Sequence, residues 1–151
     1  MSHTTEINEV VFSDVEALKQ TAVALNAKGV RCTLEQNATP RAYYANQQGM
    51  GKAPYVLRLK DAQYDVGFYQ DKTKGGLVAR ADLFMNNIAN VLGAPITKDG
   101  ETANQAAMGK LFQTYAITAA KRKAVQQGYT VREQVKGDGS VQLVLTGLKA
   151  A

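Results

Sequence analysis

The fold is decided by residues 10–35, which read VVFSDVEALKQTAVALNAKGVRCTLE. The β-branched and aromatic residues ahead of Ser13 predict a strand. Ser13 and Glu16 have the spacing of a capping box, which would satisfy two free amides at the start of a helix. Gly29 suits the left-handed backbone that ends a helix. The apolar residues between them share one helical face: Val15, Leu18, Ala22 and Leu25.

Alternating apolar residues predict the strands that follow this helix. Val30, Cys32 and Leu34 alternate with polar residues, which is the pattern of a half-buried strand. Residues 55–59 and 64–68 then form two alternating runs around a short break, and residues 77–79 form a third apolar run. Because parallel strands need long crossover connections, these short connections predict an antiparallel meander.

The second half of the chain predicts helices and then a hairpin. Asp82 can cap a short helix that Gly93 ends, and the apolar spacing predicts a longer helix from Ala106 to Gln127. The alternating residues 129–145, with a Gly-containing turn near their middle, predict a terminal hairpin.

These elements predict a single α+β domain over residues 1–151, in the order β-α-β-β-β-α-α-β-β. We expect a mostly antiparallel sheet of about six or seven strands, with two or three helices packed on one face. Polar residues with Pro and Gly predict exposed loops near 36–54 and 94–107.

Composition excludes several protein classes. The chain has 151 residues, 45% of them hydrophobic, and a net charge of +5, which disfavours a disordered protein. The positive charge is concentrated in residues 41–80, whose net charge is +4, whereas residues 1–40 carry −2. No apolar run approaches the roughly 20 residues of a membrane span. The polar start has no signal-peptide pattern, so we expect a cytoplasmic protein.

The residues that catalysis would need are scarce. His3 is the single histidine and has no nucleophile in its segment. Cys32 is the single cysteine and lies on the apolar side of a predicted strand, which indicates a buried, inert thiol. Asp61 and Asp71 occupy turn positions where Asp bonds its own backbone. We therefore predict no enzyme, no metal site and no cofactor.

Two basic segments suit binding to a partner. Tyrosine rings can stack on bases while Arg or Lys contacts phosphate, so both segments would suit single-stranded nucleic acid or a protein. The alternative is that a tyrosine packs on the core, that the cations are solvated, and that the helical cations complement the helix dipole. The candidate binding residues are Arg41, Tyr43, Tyr44 and Lys52 in the first loop, and Lys121, Arg122 and Lys123 near the end of the long helix.

Several blocks together resemble a known family. They are Met1-Ser2-His3-Thr4, Tyr64-Asp65-Val66-Gly67-Phe68, Leu77-Val78-Ala79 followed by Asp82, Gln113-x-Tyr115-Ala116, Gly128-Tyr129-x-Val131-x-Glu133-Gln134 and Asp138-Gly139-Ser140-Val141-x-Leu143. They resemble the chloroplast-encoded hypothetical reading frame thirty-five proteins, a family of unknown function that also occurs in cyanobacteria and bacterial viruses. Ala42 departs from the Arg-Gly-Tyr element of that family, and extra residues occur around 44–54 and 94–107.

The resemblance implies an accessory role, because genes of this family often lie near those of AAA-type ATPases. It implies that His3, Tyr64, Asp65 and Arg41 matter, and it adds Tyr115 and Tyr129 as further family-motif positions; the role of these residues is unknown. Our leading hypothesis is a non-enzymatic accessory protein of a cyanobacterium or its phage that binds another protein, such as an AAA-type ATPase or a phage or host factor. The alternatives are a single-stranded nucleic-acid-binding protein and a virion structural or decoration protein. The expected location is the host cytoplasm, or the virion if a phage encodes it.

Overall fold

A computed structural model describes residues 4–42, 51–94, 102–137 and 140–147 of the chain. These residues form strands and helices in the order β1 (Thr4–Phe12), α1 (Val15–Ala27), β2 (Cys32–Ala38), β3 (Ala53–Leu59), β4 (Val66–Gln70), β5 (Leu77–Asp82), a 3-10 turn (Phe84–Asn86), α2 (Ala89–Leu92), α3 (Ala103–Ala107), α4 (Gly109–Gln126), β6 (Thr130–Val135) and β7 (Val141–Thr146). The predicted α+β class is confirmed, and the order of the elements roughly matches the prediction, which has one strand and one helix fewer.

Five strands form one antiparallel sheet in the order β1-β5-β4-β3-β2. The predicted meander is β3, β4 and β5, whereas β1 and β2 are the two edges of the sheet. Helix α1 therefore carries the chain across the whole sheet. Its 13 residues span about 20 Å at 1.5 Å each, and five strands spaced at about 4.8 Å are about as wide. The length of α1 thus matches the distance it has to cover.

The main core lies between this sheet and helices α1 and α4. Phe12 and Phe68 are both fully buried and meet edge to face, with ring centroids 5.0 Å apart. Tyr115 of α4 packs on Phe12 at 4.6 Å, and its hydroxyl accepts a hydrogen bond from the amide of Asp14 at 3.0 Å. Leu18 and Leu25 of α1 fill the same core, as the helical spacing predicts.

The opposite face of the sheet carries a smaller apolar cluster built on Val56 and Tyr69. The Tyr69 hydroxyl donates to the carbonyl of Gly51 at 2.7 Å. Gly67 lies on this face, where an added Cβ would come within 2.6 Å of the Tyr69 ring and 3.0 Å of Pro40. Close approach of these two side chains therefore requires glycine here.

The predicted loop boundaries differ from the structure. Loop 36–54 is shorter than predicted, because β2 runs to Ala38 and β3 starts at Ala53. It is also not exposed throughout, since Pro40 and Ala53 are buried against the second face. Segment 94–107, predicted as an exposed linker, contains α3 with its buried residue Ala106.

The helix starts also differ in detail. Helix α1 is capped by Asp14, whose carboxylate accepts from the amide of Ala17 at 3.0 Å, whereas the sequence predicts a cap by Ser13. Helix α4 begins at Gly109, slightly later than predicted, because α3 takes up the preceding residues. A capping box of Thr102 and Gln105 starts α3.

The terminal hairpin is a separate sheet of two strands, β6 and β7. It contacts α4, where Lys121 pairs with Glu133 at 2.7 Å. Across residues 4–42, 51–94, 102–137 and 140–147, none of the helices combines the length and apolar character that a membrane crossing requires.

Candidate functional site

Asp65 is the charged residue around which one end of the sheet is organised. It lies just before β4, and its side chain has no exposed surface. Its carboxylate accepts five hydrogen bonds: from the amide of Arg41 at 2.9 Å, from Arg41 Nε at 2.9 Å and Nη2 at 2.8 Å, from Arg58 Nη1 at 2.8 Å, and from the amide of Leu59 at 3.1 Å. A carboxylate has about four lone-pair sites, so this one is saturated.

Arg41 fixes the chain that leaves β2 onto the β3–β4 turn. Besides the Asp65 carboxylate, its Nη2 donates to the carbonyls of Leu59 at 2.7 Å and Ala62 at 3.0 Å. The amide of Asp65 in turn donates to the Arg41 carbonyl at 3.0 Å. Arg41 is therefore held in one orientation by both its backbone and its side chain.

Arg58 of β3 joins the same carboxylate to the edge strand β2. Its Nε donates to Glu35 at 2.5 Å, and its Nη1 donates to the Thr39 carbonyl at 2.9 Å as well as to Asp65. We call Glu35, Arg41, Arg58 and Asp65 the Asp65 cluster. Its two guanidinium groups and two carboxylates carry no net charge.

Hydrogen bonding decides the protonation state of this cluster. Burial by itself would raise the pKa of Asp65, but the donors of Arg41, Arg58 and Leu59 outweigh it and hold that pKa below its ordinary value. The hydrogen bonds to Asp65 correspondingly raise the pKa of Arg41. Asp65, Arg41 and Arg58 are thus charged at neutral pH, and the lone pairs of the Asp65 carboxylate are already taken up by donors of the protein.

An open groove of about 600 Å³ lies beside the cluster. Arg31, Arg41, Arg58 and Lys60 line it. Arg31 forms a bidentate pair with Asp61, and the other two arginines share Asp65 and Glu35. Because most of its positive charges are neutralised by neighbouring carboxylates, the groove has little attraction for anions.

The 84–86 turn lies next to the β3–β4 turn. Met85 (φ 57°, ψ 33°) and Asn86 (φ 55°) adopt a left-handed backbone, which side-chain-bearing residues rarely do. The carboxylate of buried Asp82 accepts from the Phe84 amide at 3.0 Å. The amide oxygen of Asn87 accepts from the backbone of residues 63 and 64 at 2.7 and 3.1 Å.

The 84–86 turn presents apolar surface to solvent. Met85 is 76% exposed and Phe84 is 37% exposed. The side chains of Asp82 and Asn87 hold the 84–86 turn on both sides. The Asp65 cluster holds the β3–β4 turn, against which the 84–86 turn rests. The same end of the sheet therefore joins a rigid polar scaffold to an exposed apolar tip.

A family sequence profile covers all of these groups. The profile described as "Protein of unknown function (DUF1257)" matches residues 24–144. The chain belongs to this family. Neither a curated protein sequence nor a solved structure matches the chain. The DUF1257 segment includes the Asp65 cluster, the 84–86 turn and the terminal hairpin as far as residue 144, whereas β1 and the cap residue Asp14 precede it.

The structure does not bring the predicted binding residues of the DUF1257 protein together. Arg41 lies by the groove near Asn26, at the end of α1, whereas Arg122 pairs with Asp14 at the start of α1 at 2.9 Å. These two ends are about 20 Å apart along the helix. Lys121 pairs with Glu133, while Lys52 and Lys123 are exposed. Tyr43 and Tyr44 lie outside the described residues.

The family-motif residues that the structure describes are all buried or half-buried. Tyr115 belongs to the core, and Tyr64 packs partly against it. Tyr129 is half-buried beyond the end of α4, where its amide donates to the Ala124 carbonyl at 3.0 Å. Asp65 is the centre of the cluster described above, and His3 lies outside the described residues. Cys32 is buried, and burial raises the pKa of its thiol to about 11, as expected of an inert cysteine.

Sequence reasoning missed Arg58, Asn87 and Met85. Arg58 looks like an ordinary solvated residue of an alternating strand, and only the pairing of β3 with β2 and β4 brings Glu35 and Asp65 to it. Nothing in the sequence marks the left-handed backbone at Met85, because methionine does not favour it. In the part of the chain that the structure describes, no three His, Cys, Asp or Glu side chains come together as a metal site.

Proposed function

We propose that this DUF1257 protein is a non-enzymatic accessory protein that binds another protein, with the 84–86 turn in the binding surface. The observation that carries the proposal is the strained backbone at Met85, an apolar residue that is exposed to solvent. A left-handed residue with a side chain costs about 1–2 kcal/mol. Such strain persists where the surrounding structure imposes it, and it concentrates at functional positions.

The chemistry of the turn suits a protein partner. A methionine side chain is flexible and polarisable, so Met85 can fill an apolar pocket. Phe84 adds an aromatic ring, and aromatic residues are frequent among the residues that dominate binding energy. Because Asp82 and Asn87 already hold the backbone, little conformational entropy would be lost on binding.

The state of the Asp65 cluster favours this role over catalysis. Its carboxylate is ionised and saturated by five donors, so it has no lone pair to accept a substrate proton. The raised pKa of Cys32 keeps its thiol protonated at neutral pH, which disfavours nucleophilic attack. The Asp65 cluster holds the β3–β4 turn in place, and neither its carboxylate nor the Cys32 thiol resembles a reacting group.

A charge substitution in the turn tests the proposal. Three proteins would be immobilised as baits: wild type, Met85→Asp and Val23→Asp. Each would capture proteins from the source cells, and crosslinking would fix the captured proteins to the bait. Val23 lies on α1 and is 71% exposed, so it is apolar and about as exposed as Met85 but lies outside the turn. We expect wild type and Val23→Asp to capture the same partner, and Met85→Asp to lose at least tenfold of it.

Thermal unfolding of the three proteins would confirm that each is folded. Equal capture by all three folded proteins would contradict a role for the turn. Failure of wild type to enrich any protein over a blank support would contradict the accessory function itself.

Nucleic-acid binding remains the alternative that the same panel can test. Lys121, Arg122 and Arg41 are held in intramolecular ion pairs, so contact with phosphate would have to compete with those carboxylates. We expect weak binding to single-stranded oligonucleotides. Tight binding that falls steeply with salt would replace the proposal, because counterion release gives that dependence. Mass spectrometry of purified phage particles would test the virion alternative.

We infer a more specific family for this protein from the resemblance of its sequence blocks. Most of its blocks fall within residues 24–144, which the DUF1257 profile matches. This overlap supports the hypothetical reading frame thirty-five family as the source of the resemblance. On that basis we propose an AAA-type ATPase or a phage or host factor as the partner, and the cytoplasm of a cyanobacterium, or a phage that infects it, as the setting.

A further inference from the structure

The β6–β7 hairpin leaves its apolar side chains only partly covered. No residue of β6 or β7 is buried, and the structure describes all of both strands. Val135 is 70% exposed and Leu145 is 44% exposed. An isolated two-stranded hairpin is at best marginally stable in water, and a third strand or a covering layer normally supports it.

The pairing register places the apolar residues on one face. Opposite residues in an antiparallel pair point to the same side of the sheet. The register of β6 and β7 therefore gives one face that contains a single charged residue, Glu133, which Lys121 of α4 neutralises. The apolar residues of this face are Val131, Val135, Val141, Leu143 and Leu145.

The two outer edges of the hairpin differ in charge. Strand β6 carries Arg132 and Glu133, and charged residues are a usual protection of an edge strand. Strand β7 reads VQLVLT and carries no charge along its six residues. Among the described residues β7 pairs with β6 alone, so its other edge is an unprotected template for another strand.

We propose that β7 pairs antiparallel with β7 of a second copy of the chain across a twofold axis at Leu143. In this register Val141 of each copy lies opposite Leu145 of the other, and the two Leu143 residues lie opposite each other. All of these residues are on the apolar face, so the pairing extends that face across four strands in the order β6-β7-β7-β6.

Charge argues for a second copy as the occupant. The chain has a net charge of +5, so most surfaces of two copies repel each other. The neutral β7 edge is where two copies can meet without placing like charges opposite one another. The charged β6 strands then form both outer edges, so the sheet closes as a dimer and does not continue into a fibre.

Cysteine crosslinking tests the pairing directly. Opposite residues in antiparallel strands have Cα atoms about 4.5–5.5 Å apart, within the range of a disulfide. Leu143→Cys should therefore form a disulfide dimer between the two position-143 residues under mild oxidation. The native Cys32 is buried and should not take part. Val135→Cys is the control, since it is an exposed position of the same face on the other strand.

Light scattering during gel filtration supplies the second measurement. We expect wild type and Val135→Lys to have twice the mass of one chain, and Leu143→Lys to run as a folded monomer because it places two ammonium groups opposite each other. If Leu143→Lys fails to fold, the cysteine pair still decides the question.

Two results would overturn the proposal. One is a wild-type monomer at hundreds of micromolar, which would leave the β7 edge to a strand of a different protein. The other is equal crosslinking by Leu143→Cys and Val135→Cys, which would indicate random collision.

Discussion

The Asp65 cluster and the β6–β7 hairpin differ in which groups they bury and which they leave exposed. The cluster buries a full negative charge and meets it with five donors from three residues. The hairpin has no charge to bury on β7, yet the apolar residues of that strand are only half-buried or exposed. One region is complete within the chain, whereas the other has an apolar face that its contacts with α4 cover only in part.

This difference indicates where the molecule is closed and where it is open to a partner. A buried ion pair whose donors and acceptors are all satisfied fixes a local conformation, and removing one partner is costly. Partly exposed apolar strands contribute little in isolation and more when a further strand or layer covers them. We therefore expect the free energy of unfolding to depend strongly on the sheet and weakly on the hairpin.

The largest expected effect is in the main core. Phe68→Ala removes a fully buried ring that packs on Phe12, so it should lower the free energy of unfolding by about 3–5 kcal/mol. Val135→Ala in the hairpin should change it by less than about 0.5 kcal/mol. Urea denaturation of both variants measures the difference. A cost for Val135→Ala that rivals that of Phe68→Ala would show that the hairpin is packed in solution.

The next effect concerns the carboxylate of the cluster. Asp65→Asn removes the charge and turns an amide N–H₂ towards groups that themselves donate. Breaking a buried ion pair costs about 3–5 kcal/mol, and the partial exposure of Arg41 places this variant near the lower end, at about 3 kcal/mol. Denaturant unfolding measures it.

Asp71→Asn is the matched control for this variant. Asp71 accepts from the amides of Thr73 and Lys74 in an exposed turn, and an asparagine oxygen can do the same. We expect less than about 0.5 kcal/mol. Equal costs at Asp65 and Asp71 would mean that the buried charge contributes nothing beyond its turn geometry.

Acid should remove the advantage of the carboxylate. The pKa of Asp65 is held below its ordinary value of 3.8, so the folded state binds the proton less readily than the unfolded state. The resulting stabilisation is complete above that ordinary value and is lost as the pH falls through the folded pKa. The gap between wild type and Asp65→Asn should therefore narrow below about pH 4. Urea unfolding at a series of pH values would show parallel curves if this carboxyl were not involved.

The pattern of apolar residues predicts most of the fold. Alternation at Val30, Cys32 and Leu34 and the helical spacing of residues 15–25 are local signals, and the structure bears them out. The cap of α1 was harder to predict, because Ser13 and Asp14 are both good cap residues. The tertiary contact of the Asp14 amide with Tyr115 accompanies the choice of Asp14.

The site is less predictable because it depends on pairing between distant strands. Arg41 and Asp65 are both visible in the sequence as residues of interest, but nothing local indicates that each is the partner of the other. The sequence also counts Arg122 as a basic residue without showing that Asp14 neutralises it. Of the cations predicted to bind a partner, Arg41, Lys121 and Arg122 are in ion pairs within the chain, which the sequence alone does not indicate.

The smallest expected effect tests the 84–86 turn itself. Met85→Gly relieves the strain at Met85, because glycine adopts a left-handed backbone without a steric penalty. The same substitution also makes the unfolded chain more flexible. The two terms leave a net stabilisation of about 0.5 kcal/mol, measurable by thermal unfolding. Val23→Gly on α1 should instead destabilise by about 1 kcal/mol, because glycine disfavours a helix interior.

Met85→Gly should at the same time weaken partner capture, since it removes the exposed side chain from the turn. If the strain at Met85 is retained for function, relieving it should raise the stability and weaken the binding of the partner. Destabilisation by Met85→Gly would indicate that the Met85 side chain packs against the rest of the protein and is not available to a partner. A stable variant with undiminished binding would place the contact elsewhere on the chain.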